Sequence, residues 1–138
     1  GGLAALGARV KRLGARVIRS ETRHYLGRVF ATCASITLRL PVYDSQCGAK
    51  LFERDAAAAA FTEPFVSAWL FDVEVLARLR NQFGNARVRR DVREVALQTW
   101  THIGGSKLRP RHYFAAPLEL FRIARRYNRT SAGYAKTE

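Results

Sequence analysis

Asp44, Ser45, Gln46, Cys47, Gly48, Ala49 and Lys50 put a carboxylate, an amide, a flexible glycine and a cation into one short stretch. Such groups can orient a sugar hydroxyl or a phosphate. The same stretch also reads as an Asx-type turn with Lys50 pointing to water. In Trp69-Leu70-Phe71-Asp72-Val73-Glu74, two carboxylates stand two residues apart among bulky apolar groups. Asp72 and Glu74 can supply a base, or cap the helix that begins there. Further on, Gly104-Gly105 lets a backbone approach a phosphate, and Ser106-Lys107 adds a hydroxyl and a point charge, without the spacing of a Walker loop. His102 beside it reads as an ordinary loop histidine.

Ahead of these motifs lies a cationic segment holding Arg9, Lys11, Arg12, Arg16, Arg19, Arg23 and Arg28. Arg23 falls in the first turn of a helix, where free N–H groups already favour an anion. The segment reads either as a phosphate clamp or as a solvated basic face.

The whole chain repeats that bias. It has 138 residues with 24 Lys+Arg against 11 Asp+Glu, a net charge of +13, which favours nucleic acid, anionic lipid or a phosphorylated substrate. The length suits one domain, and 48% hydrophobic residues suffice for a core. Cys33 and Cys47 form neither a C-x-x-C pair nor a zinc-ligand spacing, so no disulfide framework or zinc site is indicated, and a reducing cytoplasm is the default compartment. No apolar run approaches the roughly 20 residues a spanning helix needs. Gly1-Gly2 ahead of a basic stretch lacks signal-peptide character and reads as a junction, so the sequence is expected to be a piece of something longer.

The elements that must position these groups alternate between helix and strand. Gly7 to Arg19 reads as a basic loop or broken segment. Ser20 can cap a helix ending at Pro41, with Tyr25, Val29, Cys33, Ile36 and Leu40 on one face. Ala49 to Phe52 reads as a short strand, Asp55 to Phe61 as a small helix, and Phe71 to Phe83 as a helix closed by Gly84. The alternation over Arg87 to Trp100 changes phase between Val92 and Val95, which predicts a bulged strand or two short ones. A basic amphipathic helix spans about 110–129. Tyr113, Ala116, Leu120, Ile123, Ala124 and Tyr127 lie on one side of it, and Arg122, Arg125, Arg126 and Arg129 on the other.

In order along the chain, Arg19 to Arg28, D-S-Q-C-G-A-K-L-F at Asp44 to Phe52, W-L-F-D-V-E at Trp69 to Glu74, E-V-A-L-Q-T-W at Glu94 to Trp100 and G-S-K-L at Gly105 to Leu108 resemble the C-terminal part of family 2 glycosyltransferases. The resemblance is strongest to the branch that makes dolichyl- or polyprenyl-phosphate sugars, and it spans nearly the whole chain.

The resemblance implies an α/β chain, the acceptor-side C-terminal portion of a GT-A type fold over 1–138, incomplete without an N-terminal nucleotide-binding half. It implies inverting transfer from a nucleotide sugar to a polyprenyl phosphate, on the cytoplasmic face of a membrane to which the protein is peripherally bound. Arg9 and Arg23 would hold the acceptor phosphate. Asp72 and Asp44 would be the catalytic carboxylates, Asp72 positioning more than abstracting because a phosphate acceptor is already an anion. Gln46 and Lys50 would border donor or acceptor, and Ser106 and Lys107 would close over the donor pyrophosphate. A divalent metal, Mg²⁺ or Mn²⁺, is expected in the full enzyme with its ligands outside this chain, which itself carries none. The 138 residues alone should be inactive and, with sheet edges uncovered, prone to self-association. The alternative is a basic nucleic-acid-binding module, which Tyr25, Tyr43, Trp69, Trp100 and Tyr113 would permit but no binding motif supports.

Overall fold

The computed structural model describes residues 2–18, 21–101 and 110–128, without the side chains of 18, 21–24, 26 and 110–113. The chain is mixed α/β. Its elements are β1 (Ala4–Ala8), β2 (Arg16–Ile18), α1 (Glu21–Leu38), β3 (Lys50–Phe52), α2 (Arg54–Phe61), α3 (Phe71–Phe83), α4 (Asn85–Asp91), β4 (Val92–Ala96), β5 (Thr99–Thr101) and α5 (Pro110–Asn128).

β1 is the centre of a three-stranded sheet, antiparallel to β3 and parallel to β4. Leu6 pairs with Lys50 on one side and Glu94 on the other, so Lys50, Leu6 and Glu94 form one row across the sheet. Because side chains in register share a face, this row places a cation and a carboxylate on either side of a buried leucine. A second sheet pairs β2 with β5 in parallel.

α3 packs against α1, α2, α4 and α5, and residues 72–80 of it are all buried. Leu6, Leu38, Leu70, Val73, Leu76, Leu79, Val88 and Ile123 fill the core around it. Gly84 ends the helix: its φ of 81° is open to glycine at no steric cost, and its N–H donates to the Arg80 carbonyl.

Three sequence expectations change. The segment from Gly7 to Arg19 is not simply a loop, since β1 and β2 take its two ends; small alanines let β1 lie between two other strands. Arg87 to Asp91 is helical, not strand, and two short strands follow it with a break at Leu97-Gln98. In α1 the predicted apolar stripe mostly faces outward: Tyr25, Val29, Cys33 and Ile36 are exposed, whereas Ala31, Ala34 and Leu38 face the core. Small alanines allow close helix packing, so the bulkier residues are left outside. Leu40 alone of the predicted face is buried. In α5, Ala116, Leu120, Ile123 and Tyr127 are buried, Ala124 is half-buried, and Arg122, Arg125 and Arg126 are exposed, as the pattern predicts; the Tyr113 side chain and Arg129 lie outside the described residues.

Candidate active site

The turn after α1 begins with Arg39 at a φ of 54° and leads into the loop 41–48 beneath the carboxyl end of β1. Arg9 follows β1 directly. Its Nε donates to Asp44 Oδ2 and its Nη2 to Asp44 Oδ1, both at 2.7 Å, and its backbone N–H reaches Oδ2 at 3.0 Å. The same guanidinium lies 5.5 Å from the centre of the Trp100 ring. The paired carboxylate raises the affinity of Arg9 for its proton, against burial, which lowers it.

Lys50 occupies the other side of the loop. Its ammonium donates to the Cys47 carbonyl and, at 2.8 Å, to Asp72 Oδ1 in the first turn of α3. Burial pushes the Asp72 carboxyl above its usual range, while the Lys50 hydrogen bond and the Lys50 and Arg9 charges pull it part of the way back. Arg9, Asp44, Lys50 and Asp72 are therefore one electrostatic group of two cations and two carboxylates. Charges so matched hold a cleft in shape; they leave Asp72 engaged with a lysine, an arrangement suited to positioning.

A cleft of about 50 Å³ opens beside this group, lined by Arg9, Arg28, Tyr43, Ser45 and Gln46 among others. Arg28 stacks 4.0 Å from the centre of the Tyr43 ring and donates to the Tyr43 carbonyl at 3.3 Å. Ser45 is 2% exposed, and its Oγ is buried with no hydrogen-bond partner. A buried hydroxyl in that state has an unmet demand for a polar neighbour.

Of the residues singled out from sequence, Arg9, Asp44, Gln46, Lys50 and Asp72 come together here. Arg23 lies in the first turn of α1, but its side chain falls outside the described residues, as do Ser106, Lys107 and His102 entirely. Glu74 is not a second site carboxylate. It is fully buried behind Asp72, where it accepts from Val66 N–H, Arg78 and the Tyr127 hydroxyl. Two residues absent from the sequence prediction belong to the site: Arg28, which was only one of a basic run, and Glu94, which holds the loop backbone. Among the described residues no group of three or more His, Cys, Asp or Glu side chains that could hold a metal ion is found. A larger groove, about 960 Å³, lies at the other end of α3 between Arg39, Arg80, Asn85 and Asn128, away from these residues.

The chain is 38% identical over 95 residues to the dolichyl-phosphate β-glucosyltransferase of Drosophila melanogaster, covering 69% of this chain and 25% of that one. The human protein of the same name is 44% identical over 69 residues, covering 50% and 19%. That of Saccharomyces cerevisiae is 31% identical over 106 residues, covering 75% and 30%. The chain is a homologue of the dolichyl-phosphate β-glucosyltransferases. It spans about a quarter of the length of the curated relatives it matches. No protein-family model and no solved structure matches it.

Proposed function

We propose that the chain is the acceptor-side, C-terminal portion of a GT-A type glycosyltransferase that moves a sugar, with inversion, from a nucleotide sugar to a polyprenyl phosphate of the dolichyl type. The observation that carries the reading is the cleft beside the Arg9–Asp44–Lys50–Asp72 group, with Arg28 and the partnerless Ser45 hydroxyl in its wall, in a homologue of enzymes named for that reaction. Arg9 and Arg23 hold the acceptor phosphate in this reading. Asp44 orients Arg9, and Asp72, held by Lys50, positions the acceptor without having to remove a proton from it. Gln46 offers its amide to donor or acceptor, and Ser106 and Lys107 meet the donor pyrophosphate. Nucleotide and metal are held by a further portion of the protein, so the 138 residues alone are inactive.

The enzyme works at the cytoplasmic surface of a membrane. Among the described residues no helix is long and apolar enough to cross one. α5 instead turns Phe114, Leu118 and Phe121 outward, at 86%, 53% and 61% exposure, beside Arg122 and Arg125, a pattern suited to lying in a lipid interface with cations at phosphate level. The outer face of the sheet, with Leu51 and Val95 exposed, favours self-association when it is uncovered. A nucleic-acid module fits less well, since Trp100 and Tyr43 are engaged by Arg9 and Arg28, and Trp69 packs on Phe30.

The test is sugar transfer by the full-length protein to polyprenyl phosphate in anionic liposomes, with single-stranded RNA as competitor. Transfer that RNA does not suppress supports the reading. Absence of transfer, together with tight RNA binding, overturns it in favour of the nucleic-acid module.

A further inference from the structure

Glu94 stands in the same row of the sheet as Lys50, with Leu6 between them. Its carboxylate faces the loop after α1. Tyr43 N–H donates to Oε1 at 3.0 Å and to Oε2 at 2.8 Å, and Asp44 N–H donates to Oε1 at 2.7 Å. Asp44 is thus held twice, by its side chain from Arg9 at the end of β1 and by its backbone from the neighbouring strand β4. Two consecutive N–H groups on one carboxylate are charge-assisted bonds, stronger than neutral ones and directional. A carboxylate near a phosphate site repels the ligand unless its charge is engaged elsewhere, and both oxygens of Glu94 are turned to the loop.

From this geometry we infer that Glu94 is a positioning residue for the acceptor cleft: it fixes the Tyr43-Asp44 backbone so that Asp44 meets Arg9 and Ser45 and Gln46 line the cleft. The assignment rests on the reading of that cleft as the acceptor site. Arg28 completes the hold from the helix side by stacking on Tyr43 and bonding its carbonyl. The loop is therefore fixed by three elements, α1, β1 and β4, before any ligand arrives.

The experiment is Glu94→Gln in the full-length protein, read by kinetics and by amide exchange. Glutamine has the same shape but one acceptor oxygen, and its NH₂ group opposes one of the two N–H donors. The KM for polyprenyl phosphate should rise about tenfold, the factor for losing one bond to a charged group, while the KM for the nucleotide sugar stays within twofold. Protection of the Tyr43 and Asp44 amides should fall while amides of β1 and α3 keep theirs. Equal change in both KM values, or unchanged protection at Tyr43 and Asp44, overturns the proposal. If Glu94→Gln does not fold, exchange in the unsubstituted protein decides: slow exchange at Tyr43 and Asp44 with fast exchange at Gln46 supports it, and fast exchange at all three overturns it. If the full-length protein transfers no sugar to polyprenyl phosphate, the functional reading falls by itself, and amide exchange still decides whether Glu94 holds the loop.

Discussion

Arg9 and Asp44 meet through two parallel bonds of 2.7 Å, with their side chains 17% and 10% exposed. A fork-to-fork pair of this kind fixes orientation as well as distance, because guanidinium and carboxylate are both planar. Asp44→Ala leaves Arg9 largely buried and unpaired over Trp100. The expected cost is about 3 kcal/mol, at the lower end of the range for breaking a buried pair because some exposure remains. Arg9→Lys keeps one bond and should cost less than half as much. Denaturant midpoints of the two variants check the order; no loss in Arg9→Lys would show that the planar match contributes nothing.

The Lys50–Asp72 pair gives a pH signature. Burial raises the Asp72 carboxyl and Lys50 opposes that rise, so Lys50→Met should move it further up. The acidic limb of the transfer rate should follow to higher pH, and a carbon-13 titration of the Asp72 carboxyl should show the same displacement. Linkage has a definite sign here. The folded value lies above the unfolded one of about 3.9, so the stability Asp72 contributes is complete below that value and is lost as pH rises through the folded one. Relative to Asp72→Asn, the unsubstituted protein should therefore lose stability over that interval, and a gain in its relative stability with rising pH would contradict the assignment.

Behind the site, Glu74, Arg78 and Tyr127 tie α3 to α5. Tyr127 OH donates to Glu74 Oε1 at 2.7 Å and accepts from Arg78 Nε at 3.1 Å. Arg78 also donates to the carbonyls of Ala60, Glu63 and Pro64 and lies 4.3 Å from the centre of the Phe65 ring. Burial and then the Glu74 bond push the Tyr127 hydroxyl up, so it remains a donor. Tyr127→Phe should destabilise by about 1–3 kcal/mol, because Glu74 and Arg78 each lose a buried partner. Arg78→Met should cost about 3–5 kcal/mol by stranding the Glu74 charge. Thermal or urea denaturation measures both, and a smaller loss for Arg78→Met than for Tyr127→Phe would reverse the ranking of charge over hydroxyl.

Much of this arrangement was legible in the amino-acid pattern, and the gaps have physical causes. Gly84 announced the end of α3, and Asp44, Gln46, Lys50 and Asp72 were recognisable from local chemistry. The facing of α1 was not, because both the Tyr25–Val29–Ile36 stripe and the Ala31–Ala34–Leu38 stripe have helical spacing. Only tertiary packing decides which goes inside. Glu94 stands in the E-V-A-L-Q-T-W motif, but its task depends on a loop some 50 residues earlier in the chain, so no local signal could reveal it. Glu74 looked like a partner for Asp72 because they stand two apart; helical geometry sends them to different sides, Glu74 toward Arg78.

The parallel pairing of β1 with β4 joins Ala4 to Val92 and Ala8 to Ala96, with β2, α1, β3, α2, α3 and α4 all lying between in sequence. Contacts between such distant parts of a chain carry the largest loop-closure entropy and form slowly. Arg9 follows one of these strands and Glu94 lies on the other, so the pocket they shape depends on that long-range pairing.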